Sequence, residues 1–329
     1  MKYLFISILI ICLCSTSLVY CQSSSSSSSS SDAIDGVHYL VGLTSNGTKH
    51  IGLEYNFTSE YSRASVLPLK SKILGVLQCM SNSLTFVHID TSGNFVKSSL
   101  DYTHFNVTDL ATIYIGADNY QVSSQYFGYD ISTDTGFLPV IANNGALFVW
   151  RLNFQQLSTT LVPFSNIIKK GTNIFPPVGA YDPSSGRYYL LYSSNNVYNL
   201  GIYNFNTGST SSNTVFNLDS SFPAQLLVIE SKVYALINKG SDIYLYQIDP
   251  VKNIAKEVIY FDNSQTSISK YNGVQYAVNG NRILLLTNFD KAANTITYVV
   301  FDPATGLLDQ FIGNDQVGAY DAVFQVCVN

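Results

Sequence analysis

Residues 178–217 carry the feature that most constrains this chain: short strands separated by tight turns, with looser copies of the same order elsewhere. Arg187-Tyr188-Tyr189-Leu190-Leu191-Tyr192 is rich in aromatic and aliphatic side chains that suit a pleated, half-buried surface. Asp182-Pro183-Ser184-Ser185-Gly186, just before it, has the chemistry of a turn. Asp bonds its own backbone, Pro presets φ, and Gly accepts a positive φ. A second strand at 200–205 ends in Asn206-Thr207-Gly208, which closes it the same way.

The copies fix the size of the unit. Phe127-Gly128-Tyr129-Asp130, then Gly136 and apolar runs at 137–142 and 146–153, repeat the order of Gly179-Ala180-Tyr181-Asp182, Gly186 and the strands after it. A turn assigned to the end of the third strand recurs as Asp90-Thr91-Ser92-Gly93, Asp249-Pro250 and Asp302-Pro303-Ala304-Thr305-Gly306. Leu53, Val87, Val149, Ile202, Leu245 and Val299, taken as mid-strand markers, lie 34, 62, 53, 43 and 54 residues apart. The last three steps fit a unit of four strands and three turns, roughly 40 residues or a little more. The first two together span two units, with an insertion expected at 105–122.

Composition agrees with an all-β chain. Of 329 residues, 46% are hydrophobic and 12% charged, with 24 Tyr and 19 Phe. The charged share is about half that of an average globular chain, so Ser, Thr, Asn and Tyr carry the polar duty. A net charge of -5 offers no basic stripe for phosphates, which argues against a nucleic-acid partner. No stretch keeps a 3.6-residue period.

Residues 1–21 read as a secretory signal: Lys2 at the charged end, an apolar run at 3–13, and Val19 and Cys21 ahead of a cut before Gln22. The apolar run is too short for a membrane anchor, and no C-terminal tail reads as a lipid-anchor signal. Residues 22–35, with the serine run 23–31, form a flexible tether, and 36–329 a single folded domain. The product is expected to be secreted. Export makes Asn46, Asn56 and Asn106 usable as N-glycosylation acceptors in their Asn-x-Thr sequons. It also leaves Cys79 and Cys327 as the two cysteines of the mature chain, hence a candidate disulfide, against the alternative of two separately buried thiols.

Strands are expected at 38–43, 50–55, 63–69, 73–80, 84–89 and 95–100, then in the two clear repeats, then at 224–229, 232–237, 243–248, 257–261, 273–278, 282–287, 295–301 and 307–312. The first unit lacks a strand, and residues 319–328 supply one to spare. This pattern resembles a β-propeller: six blades of four antiparallel strands, closed by pairing the C-terminal strand with the first blade. Closure of that kind removes exposed sheet edges. Seven blades is the alternative if 111–115 belongs to a blade of its own. A pair of β-sandwiches, linked at 166–177, is the runner-up fold. The resemblance reaches no named family: there is no Trp-Asp pair of the WD40 kind and no Gly-Gly of the kelch kind, and Trp150 lacks the context of a sialidase Asp box.

Catalytic chemistry finds few carriers. His38, His50, His88 and His104 do not pair at metal-ligand spacing, and there is no HExxH, Cys-x-x-Cys, Gly-x-Ser-x-Gly or phosphate-cradling Gly loop. His88 reads as a strand histidine with a local partner, and Glu54 as a solvated strand face rather than a channel Ca²⁺ ligand. The remaining glutamates are Glu60, Glu230 and Glu257. Asp90, Asp130, Asp182, Asp249 and Asp302 sit where turns want an Asp. No metal, cofactor or catalytic residue is assigned, and the binding residues are not identified. Tyr188, Tyr189, Tyr192, Tyr198 and Tyr203 cluster in one repeat and serve either blade packing or recognition. The expected function is a secreted, non-catalytic propeller that binds a protein or glycan through its loop faces. A hydrolase or lactonase with a site in the central channel, and a structural matrix or coat protein, are the alternatives.

Overall fold

The computed structural model describes residues 39–45, 50–56, 61–69, 72–80, 83–114, 120–122, 127–165, 175–239, 242–261, 275–279, 282–290, 295–301, 308–314 and 322–328; toward both ends of that span it gives the course of the backbone. The signal, the serine run, Asn46, His38, Glu60 and Asp302 lie outside the described residues.

The chain forms strands almost throughout. The first three are β1 (Tyr39–Ser45), β2 (His50–Asn56) and β3 (Tyr61–Leu67). The second sheet runs β4 (Lys72–Met80), β5 (Ser83–Ile89), β6 (Phe95–Asp101) and β7 (Asn106–Ile113) in order. The third is built from β8 (Tyr120–Val122), β9 (Gly128–Asp130), β10 (Thr135–Ala142), β11 (Leu147–Asn153) and β12 (Ser158–Ser165), with β8 and β9 both on β10. The fourth is β13 (Val178–Asp182), β14 (Arg187–Ser194), β15 (Val197–Asn204) and β16 (Ser209–Thr214). The fifth is β17 (Ala224–Ile229), β18 (Lys232–Lys239), β19 (Asp242–Asp249) and β20 (Ile254–Phe261). The sixth is β21 (Gln275–Asn279), β22 (Arg282–Asp290), β23 (Thr295–Phe301) and β24 (Leu308–Asn314). The last strand, β25 (Ala322–Val328), pairs antiparallel with β1, so the first sheet reads β25-β1-β2-β3.

Two expectations need correction. Residues 111–113 belong to β7, the fourth strand of the second sheet, which removes the premise for a separate blade there. Asp90 closes the turn between the second and third strands of its sheet, not the turn after the third. The third strand is β6, so Val87 was the wrong marker; Ser98, mid-β6, lies 45 residues after Leu53 and 51 before Val149. The spacing therefore holds no insertion at 105–122.

Apolar residues pack between consecutive sheets rather than inside any one. Trp150, Phe154 and Leu152 of the third sheet meet Phe95, Val87 and Leu74 of the second. Phe137 and Val149 meet Tyr188 and Leu190 of the fourth sheet, and Tyr189 and Leu200 meet Leu226 and Ala235 of the fifth. A strand covered on both faces needs no alternation, and β10 and β14 each bury six residues in succession. Burial falls away outward: five of the six residues of β16 are exposed. The sheet is thus a radial wedge between two neighbours, with its fourth strand at the solvent.

Tight turns hold each wedge to the next. Asp130 Oδ1 accepts the Ser132 amide at 2.9 Å and Asp182 Oδ1 the Ser184 amide at 3.1 Å, as turn aspartates should. Contacts also reach across: the Tyr181 hydroxyl donates to Asp130 Oδ2 at 3.0 Å, and the Ser231 hydroxyl lies 2.5 Å from that of Ser184. Lys97 donates to Asp134 at 2.6 Å. Each contact joins one sheet to its neighbour. Burial by itself raises the Asp182 carboxyl, but the Ser185 and Ser184 hydroxyls, the Ser184 amide and Ser231 outweigh it and hold it below the usual carboxylate range.

Candidate functional site

Turns after the first and third strands lie at one end of each sheet; turns after the second strand and the linkers between sheets lie at the other. At the linker end of the fifth sheet, several rings and charges converge. Tyr244 and Tyr260 face each other across β19 and β20, with ring centroids 4.8 Å apart. Lys239, the last residue of β18, places its ammonium 4.4 Å from the Tyr244 centroid and 5.9 Å from that of Phe222. Phe222 comes from the linker between the fourth and fifth sheets. Asp219, in the same linker, is 3.7 Å from Lys239, and Tyr246 stacks beside Tyr244 at 6.2 Å. Tyr260 is 40% exposed.

The linker is held in place from below. The Tyr198 hydroxyl donates to the Phe222 carbonyl, and the Ser220 hydroxyl to the Asn196 carbonyl, both at 2.5 Å. Asp219 accepts the Ser221 amide at 2.9 Å; that bond, ahead of the opposing effect of burial and together with Lys239, keeps its carboxyl below the usual range. Burial, more than the nearby Asp242, raises the Tyr244 phenol, so it stays neutral and a hydrogen-bond donor. The result is a fixed group of flat ring faces bordered by the Lys239 ammonium and the Asp219 carboxylate, with the acids Asp242 and Glu257 close to Tyr244.

A second polar cluster lies on the second sheet. His88 Nε2 is 2.9 Å from Ser98 Oγ, and Ser98 Oγ donates to Asp109 Oδ1 at 2.7 Å. Since the serine proton goes to Asp109, His88 is the donor to Ser98. A nucleophilic serine needs the reverse order, with the histidine accepting its proton. Ser98 is also fully buried. This trio is a structural link between β5, β6 and β7, and His88 has the local partner expected for it. His88 and Asp109 line a crevice of about 410 Å³ with Pro68, Leu69, Asp90, Thr91 and Val107. Among the described residues, no group of three or more His, Cys, Asp or Glu is placed to hold a metal ion.

Tyr188, Tyr189, Tyr192 and Tyr198 are buried between sheets and belong to the core, and Tyr203, half-buried, packs edge-on against Phe205 at 4.5 Å. Trp150 is core as well, edge-on to Phe95 at 5.2 Å. Asp90 and Asp249 accept turn amides. His104, exposed, bonds Asp101 at 2.8 Å in a third-to-fourth-strand turn. Glu257 is exposed on β20, and Glu230 occupies a turn. The backbones of His50 and Glu54 lie on β2, third in the order of the first sheet. Asn56 ends β2, and Asn106 opens β7 exposed. The ring group around Tyr244 was not foreseen; the only signal for it was the abundance of Tyr.

The wedge-like sheets, with cores between them, define a β-propeller. Among solved structures, the chain is similar to TolB from Acinetobacter baumannii, with a TM-score of 0.57 and 10% identity over 88% of this chain and 66% of that one. It is also similar to a chain of the nidogen/laminin complex, with a TM-score of 0.54 and 13% identity over 89% of this chain and 98% of that one. A protein from Lactobacillus plantarum matches with a TM-score of 0.52 and 9% identity, over 88% and 99% of the two chains. The chain thus spans about two thirds of TolB and nearly all of the other two. Identities this low show a common fold. No protein-family model and no curated protein matches the chain.

Proposed function

We propose that the chain is a secreted propeller of six blades, closed by β25 on β1, that binds a protein or a glycan through the linker end of its sheets. The observation that carries this reading is the Phe222, Lys239, Tyr244 and Tyr260 group with Asp219 beside it. Aromatic rings offer large contact area at low entropic cost, and the bordering charges give direction to hydroxyl or peptide groups. A chain of similar fold occurs in the nidogen/laminin complex, a protein–protein assembly, which supports a recognition role for this one. Residues 1–21 as a signal, 22–35 as a tether and Asn46, Asn56 and Asn106 as glycan acceptors complete the proposal for an extracellular protein.

The test is binding of the purified protein to a glycan panel and to a panel of extracellular matrix proteins. A ligand is expected whose affinity falls at least tenfold in Tyr260→Ala while the melting temperature stays near that of the parent. The second reading, a hydrolase or lactonase, draws support from Asp90 and Asp109 in the crevice on the second sheet. Turnover in a hydrolase and lactonase panel, abolished by Asp109→Asn, would replace the binding proposal.

A further inference from the structure

β4 and β25 are the first strands of neighbouring sheets, and their backbones approach within 8 Å, Cα to Cα. Each carries one of the two cysteines that remain after a cut before Gln22. Cys79 is the next-to-last residue of β4; it stands in register with Leu84, one step before the final pair Met80 and Ser83. Cys327 is the next-to-last residue of β25; it stands in register with Val41, one step before the final pair Val328 and Leu40. Successive first strands of a propeller run in the same direction, so equivalent registers come to the same height along neighbouring strands. A disulfide spans Cα atoms about 4.4–6.8 Å apart, a separation within the reach of strands this close.

From this register we propose that Cys79 and Cys327 form a disulfide that fastens the C-terminal strand to the second sheet. The inference rests on export to an oxidising compartment and is independent of what the propeller binds. One thiolate attacks a disulfide of a thiol–disulfide exchange partner, forming a mixed disulfide and releasing one of the partner's sulfurs as a thiolate. The second cysteine thiolate then displaces the other. The two cysteines lose two protons and two electrons, and the partner is reduced to its dithiol. The bridge acts on an edge strand. β25 is seven residues long and lies at one edge of the first sheet, held by hydrogen bonds to β1 on one side. A covalent link on its other side holds it against β4 and closes a loop running through the second to sixth sheets.

The test uses the protein secreted and purified without reductant, denatured in guanidinium and alkylated before any reduction. We expect neither cysteine to be labelled and a proteolytic species joining the Cys79 and Cys327 peptides. Reduction should lower the melting temperature by roughly 5–15 °C. Cys79→Ala/Cys327→Ala should melt at the lower temperature with no response to reductant. Both cysteines labelled in the unreduced, denatured protein would overturn the proposal, and so would either one bridged to another chain. The peptide map needs only the parent protein, so it decides the matter even if the double variant fails to fold.

Discussion

Glu230 and Ser231 connect β17 to β18 with φ of 48° and 59°, both left-handed. A two-residue turn of this hand matches strand twist but favours Asn or Gly, and a glutamate there is strained. Ser231 offsets part of the cost through its contact with Ser184 of the preceding sheet. Glu230→Asn should therefore raise unfolding stability by about 1 kcal/mol, measured by denaturant titration. Gly179 acts in the opposite sense. A Cβ there would meet the Tyr188 ring, which is fully buried, so Gly179→Ala should cost about 2–3 kcal/mol. The turn aspartates set the acid limit of the fold. Asp130 and Asp182 both titrate below the ordinary 3.8 when folded, Asp130 because its Ser132, Thr133 and Tyr181 hydrogen bonds outweigh the effect of burial. A depressed carboxyl contributes stability that is present above its unfolded pKa and lost as pH falls through the folded one. The loss should thus fall below about pH 4, and Asp182→Asn should flatten it. An unchanged acid slope in that variant would remove Asp182 from the account.

At the scale of elements, the hairpins and most of their order were legible in the sequence, and the order within the second sheet was not. β5 and β6 show why. Val87-His88-Ile89 before Asp90-Thr91-Ser92-Gly93 has the look of a third strand with its closing turn. β5 buries five residues in succession, and a strand so covered can be read as the second or the third of its sheet. β6 hides its place further, because its middle is Lys97-Ser98-Ser99 and its turn begins with Asp101-Tyr102-Thr103, without Gly or Pro. The structure shows that Asp101, Asn153, Asn204 and Asp249 each accept a turn amide at the end of a third strand. A search for either Asp or Asn would have found that series. The ring group around Tyr244 was out of reach for another reason. The Tyr244–Tyr260 pairing depends on a register that shifts at Leu245 and Tyr246, and Phe222 arrives from a linker. Lys239→Met should keep the fold but weaken ligand binding if the ammonium contacts the ligand. Equal affinity would confine Lys239 to packing on Tyr244.

For the whole molecule, stability is shared among interfaces between successive sheets, each made by residues of two sheets and none by all. Such an arrangement has two loose ends unless the last sheet meets the first. β25 pairs with β1 and lies against both β21 and β4, which supports the closure proposed above. In a ring so closed, the tail and the head of the chain would be as interdependent as adjacent hairpins. Truncation before Ala322 should expose the edge of β1 and promote association between molecules, visible by light scattering. Hydrogen exchange read by mass spectrometry on peptides covering Tyr39–Ser45 and Ala322–Val328 addresses the closure itself. Closure predicts slow exchange in both peptides, released together in one cooperative opening. Rapid exchange across Ala322–Val328 while β4 to β20 stay protected would contradict it.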